Sequence, residues 1–262
     1  MDYVIVCLAA GFASLLTLYS GFGLGTLLLP VFVLFFPVEA AVAATAVVHL
    51  ANNLLKLGLL GPYADRRVAL RFGVAAVLAA FAGAYVLTYA TSLPTLVAYS
   101  LGSRRFEITA AKLIIAVLMG GFALLEALPR LAELTVPPRY LILGGALSGF
   151  FGGVSGHQGA LRAAFLVRSG LSTQAFLGTT AVCAVLVDVA RLIVYGRAFA
   201  AGAFRLLGGS GGLGLIPAGM AAALCGTIIG TRLLHRVTFR RVRYLVATLL
   251  LLLAVALGLG VV

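Results

Sequence analysis

Apolar residues fill the chain in long blocks, with polar and charged residues gathered between them. The blocks fall at 3–19, 26–36, 38–60, 67–90, 106–128, 139–151, 159–169, 172–196, 212–235 and 241–261. A helix needs about 20 residues to cross the hydrocarbon core of a bilayer. Most blocks reach that length and predict spanning helices; 26–36, 139–151 and 159–169 are too short. Each half of the chain therefore opens on two short helices around a Gly-rich break. The first break reads Ser20-Gly21-Phe22-Gly23-Leu24-Gly25, the second Gly152-Gly153-Val154-Ser155-Gly156-His157-Gln158-Gly159. Glycines in membrane helices can merely permit close packing. Opened backbone at membrane depth is tolerated only inside protein or beside water, and matching clusters in both halves favour opened hairpins.

Composition sets the class. Of 262 residues, 63% are hydrophobic and 10% charged, with a mean hydropathy of +1.16. This predicts an all-α polytopic membrane protein; a β-barrel would show short alternating segments instead. The net charge of +12 would suggest a nucleic-acid partner in a soluble protein. Here the arginines sit at block ends, where they set topology and meet lipid headgroups, so no nucleic acid is expected. Cys7, Cys183 and Cys225 lie inside apolar blocks without ligand spacing, and read as packing residues; neither a metal nor a cofactor is expected. Met1-Asp2-Tyr3 lacks the basic flank of a signal peptide, so the first block reads as part of the mature protein.

The two halves repeat. A shift of 135 positions, without a gap, superposes Ser20 on Ser155, Gly21 on Gly156, Thr45 on Thr180, Asn53 on Asp188 and Lys56 on Arg191. Duplicated, broken apolar segments are the sequence pointer to a transporter binding site. The expected units are a first repeat over 1–130 and a second over 138–262, within one membrane domain. If each short pair is a hairpin, three spanning helices follow and the second repeat is inverted. If each pair makes one kinked crossing, the repeats are parallel. Arginine placement arbitrates. Inversion puts Arg66, Arg67, Arg71, Arg130, Arg139, Arg168, Arg232, Arg236, Arg240, Arg241 and Arg243 on one side. It leaves mainly Arg104, Arg105, Lys112, Arg197 and Arg205 on the other. The parallel arrangement shrinks that contrast, so inverted repeats are favoured, with both termini outside and the loops near 61–71 and 232–243 in the cytoplasm. The stretch 91–105 is expected partly along the interface.

Ionisable groups at membrane depth are costly and mark function by default. His49, Asn53 and Lys56 share one helix face at i, i+4, i+7, and Asp188 and Arg191 occupy the matching face of the second copy. Lys56 and Arg191 could instead snorkel to headgroups. Asp188 is too short for that; it is expected to pair with Arg191, or with Lys56 across the repeat axis, either as a structural ion pair or in coupling and gating. His157 and Gln158 sit in the second break, with Arg162 a turn beyond. The helix starting near Gly159 points its free N–H groups into that break, and the first break repeats the arrangement with Gly23, Gly25 and Thr26. Helix N-termini attract anions. His157 could add a hydrogen bond or a proton, or be a neutral packed residue bonded to a carbonyl. Thr45 and Thr180 could bond substrate or their own i−4 carbonyls. Glu39 reads as a helix-start residue, Glu126 as headgroup-level, and His235 as part of a solvated basic loop.

A Gly-rich break, a short helix, a polar turn and an Ala-rich helix entry leading to Thr recur together. They read Gly21 to Pro30, Val38-Glu39-Ala40-Ala41-Val42-Ala43-Ala44-Thr45 and Asn52-Asn53, then Gly152 to Gly156 and Leu171 to Thr180. This pattern resembles the sulfite exporter TauE/SafE family, also called the toluene sulfonate uptake permeases, over almost the whole chain. The resemblance implies a secondary transporter of sulfite, sulfonates or related small anions in the bacterial inner membrane. The family's run of glycines is replaced here by His157-Gln158-Gly159 in the second break and by Phe22 and Leu24 in the first. The expected substrate site comprises Gly21, Gly23, Gly25, Thr26, Ser155, Gly156, His157, Gln158, Gly159 and Arg162. His49, Asn53, Lys56, Asp188 and Arg191 are expected to serve coupling or gating, with protons as the coupling ion through His157 and Asp188. The partners are then a small anion and the bilayer. Competing readings are a channel-like anion or weak-acid facilitator, a carboxylate transporter, an intramembrane enzyme and a scaffold subunit. No Walker loop, nucleophile elbow or zinc spacing argues for an enzyme.

Overall fold

Helix boundaries follow the polar punctuation. Asp65 accepts a hydrogen bond from the Val68 amide at 2.9 Å, Thr109 from the Lys112 amide at 3.2 Å, and Ser172 from the Ala175 amide at 3.2 Å. Each side chain satisfies an amide that the first helical turn leaves free. Pro37 precedes another start, with Glu39 in the first turn, where the dipole favours it.

The computed structural model describes residues 2–20, 24–128, 135–200, 212–232 and 239–261. These form helices α1 (Asp2–Ser20), α2 (Leu24–Val33), α3 (Val38–Leu60), α4 (Arg66–Ser92), α5 (Ala110–Ala127), α6 (Leu141–Ser155), α7 (Gly159–Leu166), α8 (Thr173–Ala200), α9 (Gly212–Arg232) and α10 (Phe239–Gly258). A hairpin of β1 (Val97–Leu101) and β2 (Arg104–Ile108) joins α4 to α5. Gly21, Phe22 and Gly23, the side chains of Thr26 and Glu126, Arg130, and the loop 233–238 with His235 lie outside the described residues. The segments Val38–Tyr63, Arg66–Ser92 and Thr173–Arg197 are long and apolar enough to cross a membrane.

Two boundaries differ from expectation. The stretch expected along the interface is partly a β-hairpin, and it claims the first residues of the 106–128 block. Val97, Tyr99 and Leu101 alternate as a strand does, and Gly102 turns the chain at φ +63°. Tyr99 stacks on Phe106 at 5.2 Å across the strands, and its hydroxyl donates to the Leu259 carbonyl at 2.5 Å. The second break is also narrower than its glycines suggest. Helix α6 runs through Gly152 and Gly153 to Ser155, leaving Gly156 to Gln158 as the opening. Gly156 ends α6 in the left-handed region at φ +81°, where a side chain is strained.

Small residues set how the helices cross. Gly145, Gly149 and Gly153 of α6 lie against the backbone carbonyls of Phe72, Ala76 and Ala80 of α4, so these two helices run parallel. Helices α1 and α9 repeat that contact, Gly226 meeting the Gly11 carbonyl and Ser14 meeting Thr227. Two further pairs run antiparallel. In α3 and α8, His49 meets Asp188 while Leu60, eleven residues later, meets Gly178. In α5 and α10, Gly120 faces Ala254 and Ala116 faces Gly258. One apolar cluster joins Leu28, Leu29 and Phe32 of α2 to Ile115 and Met119 of α5, and a second gathers Phe72, Phe165, Leu166, Cys183 and Val187.

Gly149→Ala should push α4 from α6, since the added methyl overlaps the Ala76 carbonyl, at a cost of about 1–3 kcal/mol. Thermal unfolding in detergent should report a lower midpoint. Gly121→Ala, with nothing near the added carbon, should leave the midpoint where it is.

Candidate functional site

The middle of α3 faces the middle of α8, and a carboxylate occupies that crossing. Asp188 is fully buried. Its Oδ2 lies 2.6 Å from His49 Nδ1 and accepts from Asn53 Nδ2 at 2.9 Å. Its Oδ1 accepts from Arg191 Nη2 at 2.7 Å, from Arg191 Nε at 3.1 Å and from Gln158 Nε2 at 3.3 Å. The expected i, i+3 pair with Arg191 forms, and the cross-repeat partner is His49. Lys56, one face-turn further along α3, is half-buried and within electrostatic reach of Asp188 and Arg162.

Arg191 does not snorkel. It is fully buried and its guanidinium packs against Gly156, where a Cβ would stand 2.7 Å from Nη1. The same Nη1 lies 3.5 Å from the Gly152 carbonyl. Tyr195, one turn along α8, donates to the Gly153 carbonyl. Helix α6 ends inside the bundle, where the Gly152 carbonyl also accepts from the Gly156 amide at 2.9 Å, and two side chains of α8 add donors at this end.

Gln158 links this centre to α7. Its amide oxygen accepts from Arg162 Nη1 at 3.0 Å while its nitrogen donates to Asp188, and its backbone carbonyl accepts from Ser148 Oγ at 3.1 Å. Arg162 is 5% exposed, makes no ion pair among the described residues, and has no partner for Nε. His157 is 1% exposed; its Nδ1 lies 3.0 Å from Ser155 Oγ, and its ring stacks on Phe122 of α5 at 5.3 Å. It bonds the Ser155 hydroxyl, and the Ser155 backbone lies within hydrogen-bonding reach as well. Gly159 begins α7 and is buried.

The start of α2 meets the second break. Gly25, in the first turn of α2, faces the Gly156 carbonyl, with Thr45 of α3 beside it. The hydroxyls of Thr45 and Thr180, matched across the repeats, are buried without a partner and do not bond their own helices. Of the other expected site residues, Gly21, Gly23 and the Thr26 side chain lie outside the described residues.

A second buried polar cluster was not anticipated. Ser14 Oγ and Thr227 Oγ1 lie 2.6 Å apart, and both reach Asn52 Oδ1, at 3.1 and 2.5 Å. It ties α1, α3 and α9. The positions matching Ser14 and Asn52 are Gly149 and Val187, whereas Thr227 matches Ser92, and Asn52 stands beside Asn53. None of the three carries a charge, and the repeat gives no reason for them to meet. Tyr195 and Phe122 were missed for the same reason.

Helices long and apolar enough to span a bilayer, packed around a buried polar centre, mark an integral membrane protein. The chain belongs to the sulfite exporter TauE/SafE family, whose model matches residues 5–257. No curated protein matches it.

Asp188→Leu would strand the buried Arg191 guanidinium, and removing one member of such a pair costs about 3–5 kcal/mol. The variant should give a markedly lower unfolding midpoint and poor monodispersity on size exclusion. Replacing Arg191 with Leu as well should recover part of that loss, because the guanidinium stranded at this crossing is gone.

Proposed function

We propose that the protein is a secondary carrier of small anions, sulfite, organosulfonates or related sulfur oxyanions, in a bacterial inner membrane. Family membership supports the transport of sulfur anions. The observation that carries the site is Arg162. A buried guanidinium normally has a carboxylate. The nearest candidate, Asp188, is held by His49, Asn53, Gln158 and Arg191. An arriving oxyanion supplies the missing charge and accepts from Nε, in the forked geometry that suits Arg to oxyanions. Arg162 lies in the first turn of α7, whose N-terminal amides add donors on the same helix. The Thr45 hydroxyl is one further ligand.

The halves 1–130 and 138–262 act as inverted repeats. Matched helices related by an axis in the membrane plane run antiparallel, as α3 with α8 and α5 with α10 do; an axis along the normal would make them parallel. Exchange of partners, α1 on α9 and α4 on α6, agrees with a two-fold relation. Alternating access is then the rocking of one repeat against the other. The His49–Asp188 contact at 2.6 Å requires a proton between nitrogen and oxygen, so this pair, in preference to His157, carries the coupling proton.

In proteoliposomes, labelled sulfite should show saturable uptake and counterflow, and an imposed proton gradient should drive it. Currents of channel size without counterflow would reject the carrier, and indifference to the gradient would reject proton coupling. Arg162→Gln should raise the half-saturation concentration about tenfold or more while the protein stays folded.

Inversion has its own test. Asp2 and Arg139 are exposed and open the two halves. With native cysteines replaced, Asp2→Cys and Arg139→Cys should react on opposite membrane faces with an impermeant maleimide. Reaction on the same face would mean parallel repeats.

A further inference from the structure

The hydrogen bonds around His157 fix which ring nitrogen carries the proton, and this bears on the substrate. Ser155 Oγ lies 3.1 Å from the Phe151 carbonyl, one helical turn back. A carbonyl only accepts, so the single hydroxyl proton of Ser155 goes there. Toward His157 Nδ1, at 3.0 Å, Ser155 therefore offers lone pairs, and Nδ1 must carry the hydrogen. In the neutral imidazole, Nε2 is then an acceptor. That atom is buried and has no partner among the described residues. Stacking on Phe122, at 5.3 Å and 17° between planes, holds the ring in place. The residue follows Gly156, whose carbonyl faces Gly25 of α2; Thr45, whose hydroxyl has no partner, turns its methyl to the same glycine.

A lone pair in this position is a poor ligand for a bare oxyanion, since it meets the substrate with like sign. It suits a hydrogen-bond donor, and a buried acceptor left unmet penalises any substrate lacking one. We infer that the transported anion also carries an O–H or N–H group. His157 Nε2 accepts from that donor while Arg162 holds the acidic end. Hydroxy- and aminoalkanesulfonates and hydrogen-bearing oxyanions belong to this class; plain alkanesulfonates do not. His157 is thus a specificity-determining residue. The inference rests on the reading of Arg162 as the anion site.

The test compares three sulfonates of equal charge on purified protein by calorimetry: 2-hydroxyethanesulfonate, 2-methoxyethanesulfonate and ethanesulfonate. The wild type should bind the hydroxy compound about fivefold or more tightly than the other two, the worth of one neutral hydrogen bond. His157→Phe, which keeps an aromatic ring against Phe122, should reduce the hydroxy compound to the level of ethanesulfonate. Equal affinities in the wild type, or a preference that survives in His157→Phe, would overturn the inference and leave the anion site standing. Binding of none of the three by folded wild-type protein would overturn both. The wild-type ratio decides by itself if the variant does not fold.

Discussion

A carboxylate in the middle of a membrane bundle has to be neutralised and hydrogen-bonded from all sides, and Asp188 organises its surroundings accordingly. Its two oxygens draw in α3 through His49 and Asn53, its own helix through Arg191, and the opening between α6 and α7 through Gln158. Four side chains from three segments converge on one residue. That convergence fixes the rotation of α3 against α8, because any other rotation leaves a charge in a low-dielectric interior without a partner. Ion pairs of this kind contribute little net stability compared with apolar packing. Their effect is to exclude alternatives, and here they set the register of the crossing.

The same logic explains how a helix can stop inside the bundle. Helix α6 ends at Ser155 with its last carbonyls far from water, and unsatisfied backbone at that depth is costly. Arg191 and Tyr195 reach those carbonyls from α8. Arg191 thus serves two needs at once, balancing Asp188 and lying against the end of α6. Glycines complete the arrangement from the other side. Close approach of α6 to α4 and of α1 to α9 is possible only because Gly149 and Gly226 present no side chain to the facing carbonyls. Neither lipid nor water need fill the space between these pairs.

Once Arg191 is committed to structure, Arg162 is distinguished by what it lacks. Its contact with Gln158 is neutral, its Nε is unmet, and the acid within its electrostatic reach is taken. Buried groups without a partner also occur at Thr45, beside Gly25, and at His157, next to Gly156. A soluble protein could hydrate such groups at will. In a bilayer their persistence makes sense when a polar solute visits them.

Much of this was written in the chain itself. Long apolar blocks fix the helices, since only helices satisfy every backbone group in hydrocarbon, and helix ends fell within a few residues of the block ends. The 135-residue repetition located Gly156, Asp188 and Arg191, because a mid-membrane charge is conspicuous against an apolar background. Other features needed the folded chain. The hairpin at 97–108 depends on a two-residue period too short to stand out beside spanning helices. Whether Arg191 would reach headgroups or turn inward depends on the end of α6, which is distant in sequence. The Ser14–Asn52–Thr227 cluster joins residues up to 213 positions apart, each unremarkable where it stands. The proton position on His157 follows from one hydroxyl being spent on a carbonyl. Pairing of polar groups is a property of contact, and only tertiary structure decides which of them meet.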